Sequence, residues 1–401
     1  VDLLLDGLAL WWADGSVAGA PAVKDALRAF RDPGLGSEEG LCWLWFACRA
    51  AQDLWDADSW LALSAHQVQL AWDTGALTML PFALSMRAAV HVFTGELTEA
   101  ASLEEELREA TEATGCAAIP FSGMLLAAWQ GCEASAFELI EVGSEDAARR
   151  GEGIGLTVAG WVKALLFNSL GRYEDAFLAA EQVSGNPPKK GLANGGALVE
   201  LIEAASHSGR HETVSEALEQ LEESTRASGT NWAQGLEARC RALLAEGATA
   251  ELAYREAIQR LGGTPFRGEL ARAHLLYGEW LRRQRRRMEA RDQLRTAHDI
   301  FTDIGAEAFA RRAARELSAT GATARKRTLK PTSELTAQEA QVVRLVRDGL
   351  SNSEIALRLF LSPRTVEWHL SKIFTKLNIT SRRQLRGGPD HGSTALSGSS
   401  G

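Results

Sequence analysis

Five polar residues near the C-terminus, Arg364, Glu367, Trp368, Ser371 and Lys372, are spaced i, i+3, i+4, i+7 and i+8. On an α-helix that spacing gathers them on one face. A carboxylate can accept from cytosine N4, an indole can pack on a thymine methyl, and cations suit phosphates. The alternate positions, Val366, Leu370, Ile373, Phe374 and Leu377, form an apolar stripe. A helix with these two faces can bury one and offer the other to a DNA major groove.

Such a helix needs neighbours to hold it, and the sequence supplies their start signals. Thr336 with Glu339, and Ser351 with Glu354, each fit a capping box, in which a hydroxyl accepts from a first-turn amide and the Glu reaches back. Ser362-Pro363 is a third start, because Pro loses no intrahelical bond at the first helical position. Gly349 separates the first two helices, and Leu361-Ser362 is a very short connection between the second and third. Val343, Leu345, Val346, Ile355, Ala356 and Leu359 are the expected core partners of the apolar stripe. Short helices joined by tight turns describe a helix-turn-helix unit.

The runs LTAQE (Leu335–Glu339), DGLSNSEIA (Asp348–Ala356), LFLSPRTVEWHLSKIFTKL (Leu359–Leu377) and SRRQL (Ser381–Leu385) resemble the LuxR-type DNA-binding domain. The resemblance implies a small four-helix domain over 335–386 with double-stranded DNA as partner. Its base-reading positions fall on Glu367, Trp368 and Ser371. Many relatives carry Lys at the first of these, so their base preference does not transfer. Phosphate contacts are assigned to Asn352, Arg358, Arg364, Thr365, Lys372 and Lys376. In the family a fourth helix pairs two modules on DNA. Here it would contain Arg382, Arg383 and Leu385, and Gly387-Gly388-Pro389 cuts it short, which predicts weak dimerisation.

Charge is distributed to match. The whole chain of 401 residues carries a net charge of −9, yet Arg325–Arg386 holds 13 Lys/Arg against 5 Asp/Glu. An acidic body with a basic end is the footprint of a protein that touches nucleic acid with one end. Five cysteines, an odd number without C-x-x-C spacing, fit neither a disulfide framework nor a zinc site and suit a reducing cytoplasm. Apolar runs reach about eight residues, as in LCWLWFAC (Leu41–Cys48), so no membrane span is expected.

Upstream, helical periodicity dominates, as in Glu99–Gly115 and His211–Thr225. Gly95, Gly131, Gly171, Gly209, Gly247 and Arg285 recur at separations of 36, 40, 38, 38 and 38 residues. Five residues after each stands Ala100, Ala136, Ala176, Val214, Leu252 or Ala290. This predicts helical hairpins in which a left-handed residue closes the first helix and a small or aliphatic residue lets the second approach. GRYEDAFLAAEQV (Gly171–Val183) and His274–His298 resemble tetratricopeptide repeats. The expected fold is therefore all-α: a Trp-rich helical region (1–94), a tetratricopeptide-like solenoid (95–320), a basic linker (321–334), the DNA module and a disordered tail (387–401). Seven of the twelve tryptophans lie in 1–94 and are expected mainly in the core, an aromatic-lined groove being the other reading.

No catalytic or cofactor constellation stands out. There is no G-x-x-x-x-G-K-[ST], GEGIG (Gly151–Gly155) follows a helical stretch, and His207 and His211 straddle Gly209 in what reads as an exposed turn rather than a metal site. Glu269–Phe301 and Gly305–Gly321 resemble the C-terminal half of large ATP-binding LuxR-type regulators, without their ATPase module. The expectation is a non-enzymatic transcription regulator whose repeats sense a protein or small-molecule effector. A repeat scaffold with an unused DNA module, and a truncated ATP-driven regulator, stay open.

Overall fold

The computed structural model describes residues 1–32, 36–116, 120–184, 192–210, 214–321, 337–359, 363–377, 379 and 381–386. The linker past Gly321, the tail, Thr336, Ser362 and His211 lie outside them. Two compact units result, Val1–Ala324 and Arg325–Gly401. Among the described residues the regular structure is entirely helical, as expected.

The first unit consists of paired helices. α1 (Asp2–Asp14) and α2 (Ser16–Phe30) precede α3 (Ser37–Asp53) with α4 (Ala57–Thr74), α5 (Leu80–Thr94) with α6 (Leu97–Thr114), and α7 (Phe121–Gln130) with α8 (Glu133–Arg150). Then come α9 (Gly153–Leu170) with α10 (Tyr173–Ser184), α11 (Leu192–Ser208) with α12 (Val214–Ser228), and α13 (Asn231–Leu244) with α14 (Gly247–Gly262). α15 (Arg267–Arg283), α16 (Arg287–Ile304) and α17 (Glu307–Ala319) complete it.

The repeat register is written in the backbone. Gly95 closes α5 at φ 82°, its N–H bonding the Val92 carbonyl, and the equivalent position after α15 is Arg285 at φ 64°. A side chain is disfavoured there, so the recurrence marks a turn the fold imposes. Ala100, Ala136, Ala176 and Ala290 are fully buried and Val214 nearly so, where the second helix leans on the first. One hairpin departs. α13 ends at Leu244, extended Ala245 and Glu246 follow, and Gly247 is the first residue of α14. The contact residue is therefore Ala250, fully buried, while Leu252 is 69% exposed. The expected register at Gly247 and Leu252 is two residues late.

Among the described residues the repeats pack on one another in two ways. The first helices of successive hairpins stack in order, and they also meet across the unit: α3 with α11, α5 with α15, and α7 and α9 with α17. α2 packs on α12, where Lys24 donates to the Ala227 carbonyl at 2.9 Å. Trp60, Phe93, Trp232 and Phe266 fill the space between, with Phe266 4.3 Å from the Trp232 ring in an edge-on contact. Gly268 permits the closeness, since a Cβ there would stand 2.7 Å from the Trp129 ring. Trp11, Trp55 and Trp60 are core, and Trp12 is exposed.

Charges share this interior. Arg272 bonds Glu200 at 2.6 and 2.7 Å and Glu203 at 2.6 Å, while Arg312 bonds Glu203 at 2.7 Å and Glu279 at 2.9 Å. All five side chains are almost completely buried. Desolvation pushes the Glu203 carboxyl up, but the two guanidiniums outweigh it and hold the group well below the usual carboxylate range. His207 corrects an expectation: it is largely buried, stacked on Tyr173 at 4.3 Å and 3.2 Å from Arg312. Burial and the neighbouring Arg312 charge lower its basicity. α9 is long and apolar enough to cross a membrane, but 67% of that window is buried inside this unit.

Candidate nucleic-acid interface

The second unit contains α18 (Ala337–Arg347), α19 (Asn352–Leu359), α20 (Pro363–Lys376) and α21 (Arg382–Arg386). Its core contains the set the periodicity picks out, together with Val342 and Leu385. Val366, Leu370 and Ile373 of α20 are buried with Val343, Leu345, Val346, Ile355 and Ala356, and Phe374, Leu377 and Leu359 pack at the edge. With that stripe inward, the opposite face of α20 must look out.

Local chemistry fixes the angle between α18 and α19. Gly349 takes φ 94°, and Leu350 N–H bonds the Leu345 carbonyl at 3.2 Å, ending α18. Ser351 then caps α19: its hydroxyl accepts from Glu354 N–H at 3.3 Å, and Glu354 accepts from Ser351 N–H at 2.7 Å. The Ser351 N–H and hydroxyl, both donating to the Glu354 carboxylate, lower that carboxyl below its ordinary value. Pro363 opens α20 as expected.

On α20, Glu367 and Ser371 are exposed, and Lys372 is half-buried beside them. Arg364, Trp368 and Lys376 occupy helix positions, but their side chains lie outside the described residues, as does that of Glu339. Arg358, on α19, is exposed. Two assigned phosphate residues are placed differently. Thr365 is only 7% exposed, which leaves its hydroxyl little access to a phosphate. Asn352 is engaged within the domain, donating to Glu367 Oε1 at 3.4 Å and accepting from Arg382.

Two of the three residues assigned to pairing also turn inward. Leu385 is 2% exposed and belongs to the domain's own core, and Arg347 donates to its carbonyl at 3.2 Å. Arg382 donates to the Leu350 carbonyl as well as to Asn352, so it ties α21 to the turn before α19. Arg383 is exposed. Sequence reasoning missed Arg347 and Arg382 as internal ties because their partners stand 30 or more residues away. In the first unit it missed the buried ion pairs. A signal existed: Glu269, Arg272, Leu276 and Glu279 share the core face of α15, with charges where apolar residues belong.

What this arrangement can do is present one helix face, backed by a packed core, to a groove. Residues 333–386 match the family described as bacterial regulatory proteins, luxR family. The C-terminal unit is thus a LuxR-family helix-turn-helix domain. A putative HTH-type transcriptional regulator of Mycobacterium bovis, Mb0914c, is 54% identical over 61 residues, covering 15% of this chain and 7% of that protein. The HTH-type transcriptional regulator AlkS of Pseudomonas putida is 42% identical over 50 residues, 12% of this chain and 6% of its own. A nitrate/nitrite response regulator homolog of Haemophilus influenzae is 44% identical over 52 residues, 13% of this chain and 25% of its own. The matched segment thus spans less than a tenth of the first two relatives.

Proposed function

We propose that this chain regulates transcription by binding duplex DNA sequence-specifically through α20, with the helical unit sensing an effector. The observation that carries the first half is the outward Glu367 and Ser371 face of α20 on a LuxR-family core. Base reading falls to Glu367, Trp368 and Ser371, and phosphate contact to Arg358, Arg364, Lys372 and Lys376. Asn352 is reassigned from phosphate to orienting Glu367. Glu367 accepts hydrogen bonds, so it favours a cytosine amine over a guanine acceptor edge. With Arg382 and Leu385 occupied internally, pairing on DNA through α21 is weak.

Selection of bound duplexes from a random pool by the full chain tests this. An operator should be enriched, and Trp368→Ala should lower affinity for it by about 1–3 kcal/mol. Lys372→Ala should weaken all duplexes alike and reduce the salt slope by about one unit. Binding that tracks ionic strength alone, with no sequence enriched, would overturn the assignment.

A further inference from the structure

A cavity of about 370 Å³ lies among α3, α5, α7 and the start of α9. Trp45, Phe82, Met86, Phe121 and Val158 wall it. That volume is at the small end of the roughly 300–1,000 Å³ typical of ligand pockets. On the α3 side, Gln52 is fully buried. Its Oε1 accepts from Arg49 at 2.7 Å, while its Nε2 lacks a hydrogen-bond partner. On the α9 side, Glu152 meets Arg150 through Oε1 at 3.1 Å, and its Oε2 is buried and unpartnered. Two residues that line this cavity thus each keep one buried polar atom without a partner, which is costly and which a native fold rarely keeps without a use.

Both guanidiniums at this cavity are already paired. Arg49 pairs with Asp53 at 3.3 Å, and Arg150 pairs with Asp146 at 2.6 Å as well as with Glu152. An anionic ligand would have to displace one of those partners, and the apolar walls disfavour a cation, so the site favours a neutral one. The geometry points to a binding site for a neutral, largely apolar small molecule. It has a ring-containing body, one carbonyl acceptor facing Gln52 Nε2, and one N–H or O–H donor facing Glu152 Oε2. This site rests on the sensor reading only for the consequence of occupancy; occupancy itself is independent of it.

Ligand-detected NMR titration of the full chain supplies the test, with 2-naphthamide as probe and 2-isopropylnaphthalene as its apolar match. The amide should bind at least tenfold more tightly than the hydrocarbon. Gln52→Leu should erase that advantage while leaving the hydrocarbon bound. Ile154→Trp, at a cavity position 44% exposed and therefore tolerant of change, should weaken both probes. Equal affinity for the two probes, or no binding by a chain with normal helical circular dichroism, overturns the site. So does an amide advantage that survives Gln52→Leu, or amide binding that ignores Ile154→Trp if the leucine variant does not fold. The sensor reading is judged separately, by DNA affinity with and without saturating 2-naphthamide. Binding with no change in DNA affinity keeps the site and overturns the sensor.

Discussion

At the scale of single residues, Arg382 decides between two views of α21. If it serves pairing, its loss leaves the domain intact and weakens self-association. In the structure it donates to the Leu350 carbonyl and to Asn352, which in turn donates to Glu367. Arg382→Ala should therefore destabilise the C-terminal unit by about 1.5–3 kcal/mol, the range for bonds to a charged group. It should also loosen Glu367, reducing discrimination at one base position in a binding selection, with no change in sedimentation. A sedimentation shift at unchanged melting temperature would restore the pairing role. The contrast with Ser351 explains what was legible. Its cap partner is three residues away and readable as a pattern, whereas the Arg382–Asn352–Glu367 relay spans three helices and exists only once they are folded. For the same reason the outward positions of α20 followed from spacing, but the burial of Thr365 did not.

At the scale of elements, the hairpin turn is the unit that repeats, and Arg285 occupies it against its own backbone preference. The left-handed conformation costs a non-glycine residue about 1–2 kcal/mol, and glycine gives back part of the difference through its freer unfolded chain. Arg285 is exposed, so little else is lost. Arg285→Gly should raise the stability of the first unit by about 0.5–1 kcal/mol, read from the denaturation midpoint at constant slope. A lower midpoint would mean that the side chain holds the turn. Periodicity located five of these turns but misplaced the sixth. The glycine at 247 is real in conformation, yet α13 stops three residues before it and an extended Ala245-Glu246 intervenes. Spacing of glycines cannot distinguish a helix end from the next helix's beginning. Only the burial of Ala250 in place of Leu252 does.

At the scale of the whole helical unit, closure turns the interior of a solenoid into a core, and that core contains charge. Helical pattern established the hairpins, but not that α5 reaches α15 or α7 reaches α17, because contacts so distant in sequence leave no periodic trace. The consequence is energetic. Glu203 bridges Arg272 and Arg312, both fully buried, so Glu203→Gln removes their shared carboxylate and leaves Arg272 to Glu200 and Arg312 to Glu279. Removing one partner of a buried pair costs about 3–5 kcal/mol, and calorimetry should show the loss in the transition of this unit. The contribution of the buried histidines to the pH dependence has a definite sign, opposed by the Glu104 and Glu200 carboxyls that burial raises. Burial lowers the folded-state basicity of His207 and of His274, so the unfolded chain binds more protons just below the ordinary histidine pKa of about 6.5. Stability is then complete above that pH and declines as pH falls below it. Glu203, held well below its ordinary value, adds a loss that begins below the ordinary Glu pKa of about 4.3 and continues into strong acid. The melting temperature should fall between about pH 7 and 5, and His207→Gln should flatten part of that slope, with His274→Gln removing more. A slope unchanged in both variants would place the titrating group elsewhere and leave the buried histidines as packing alone.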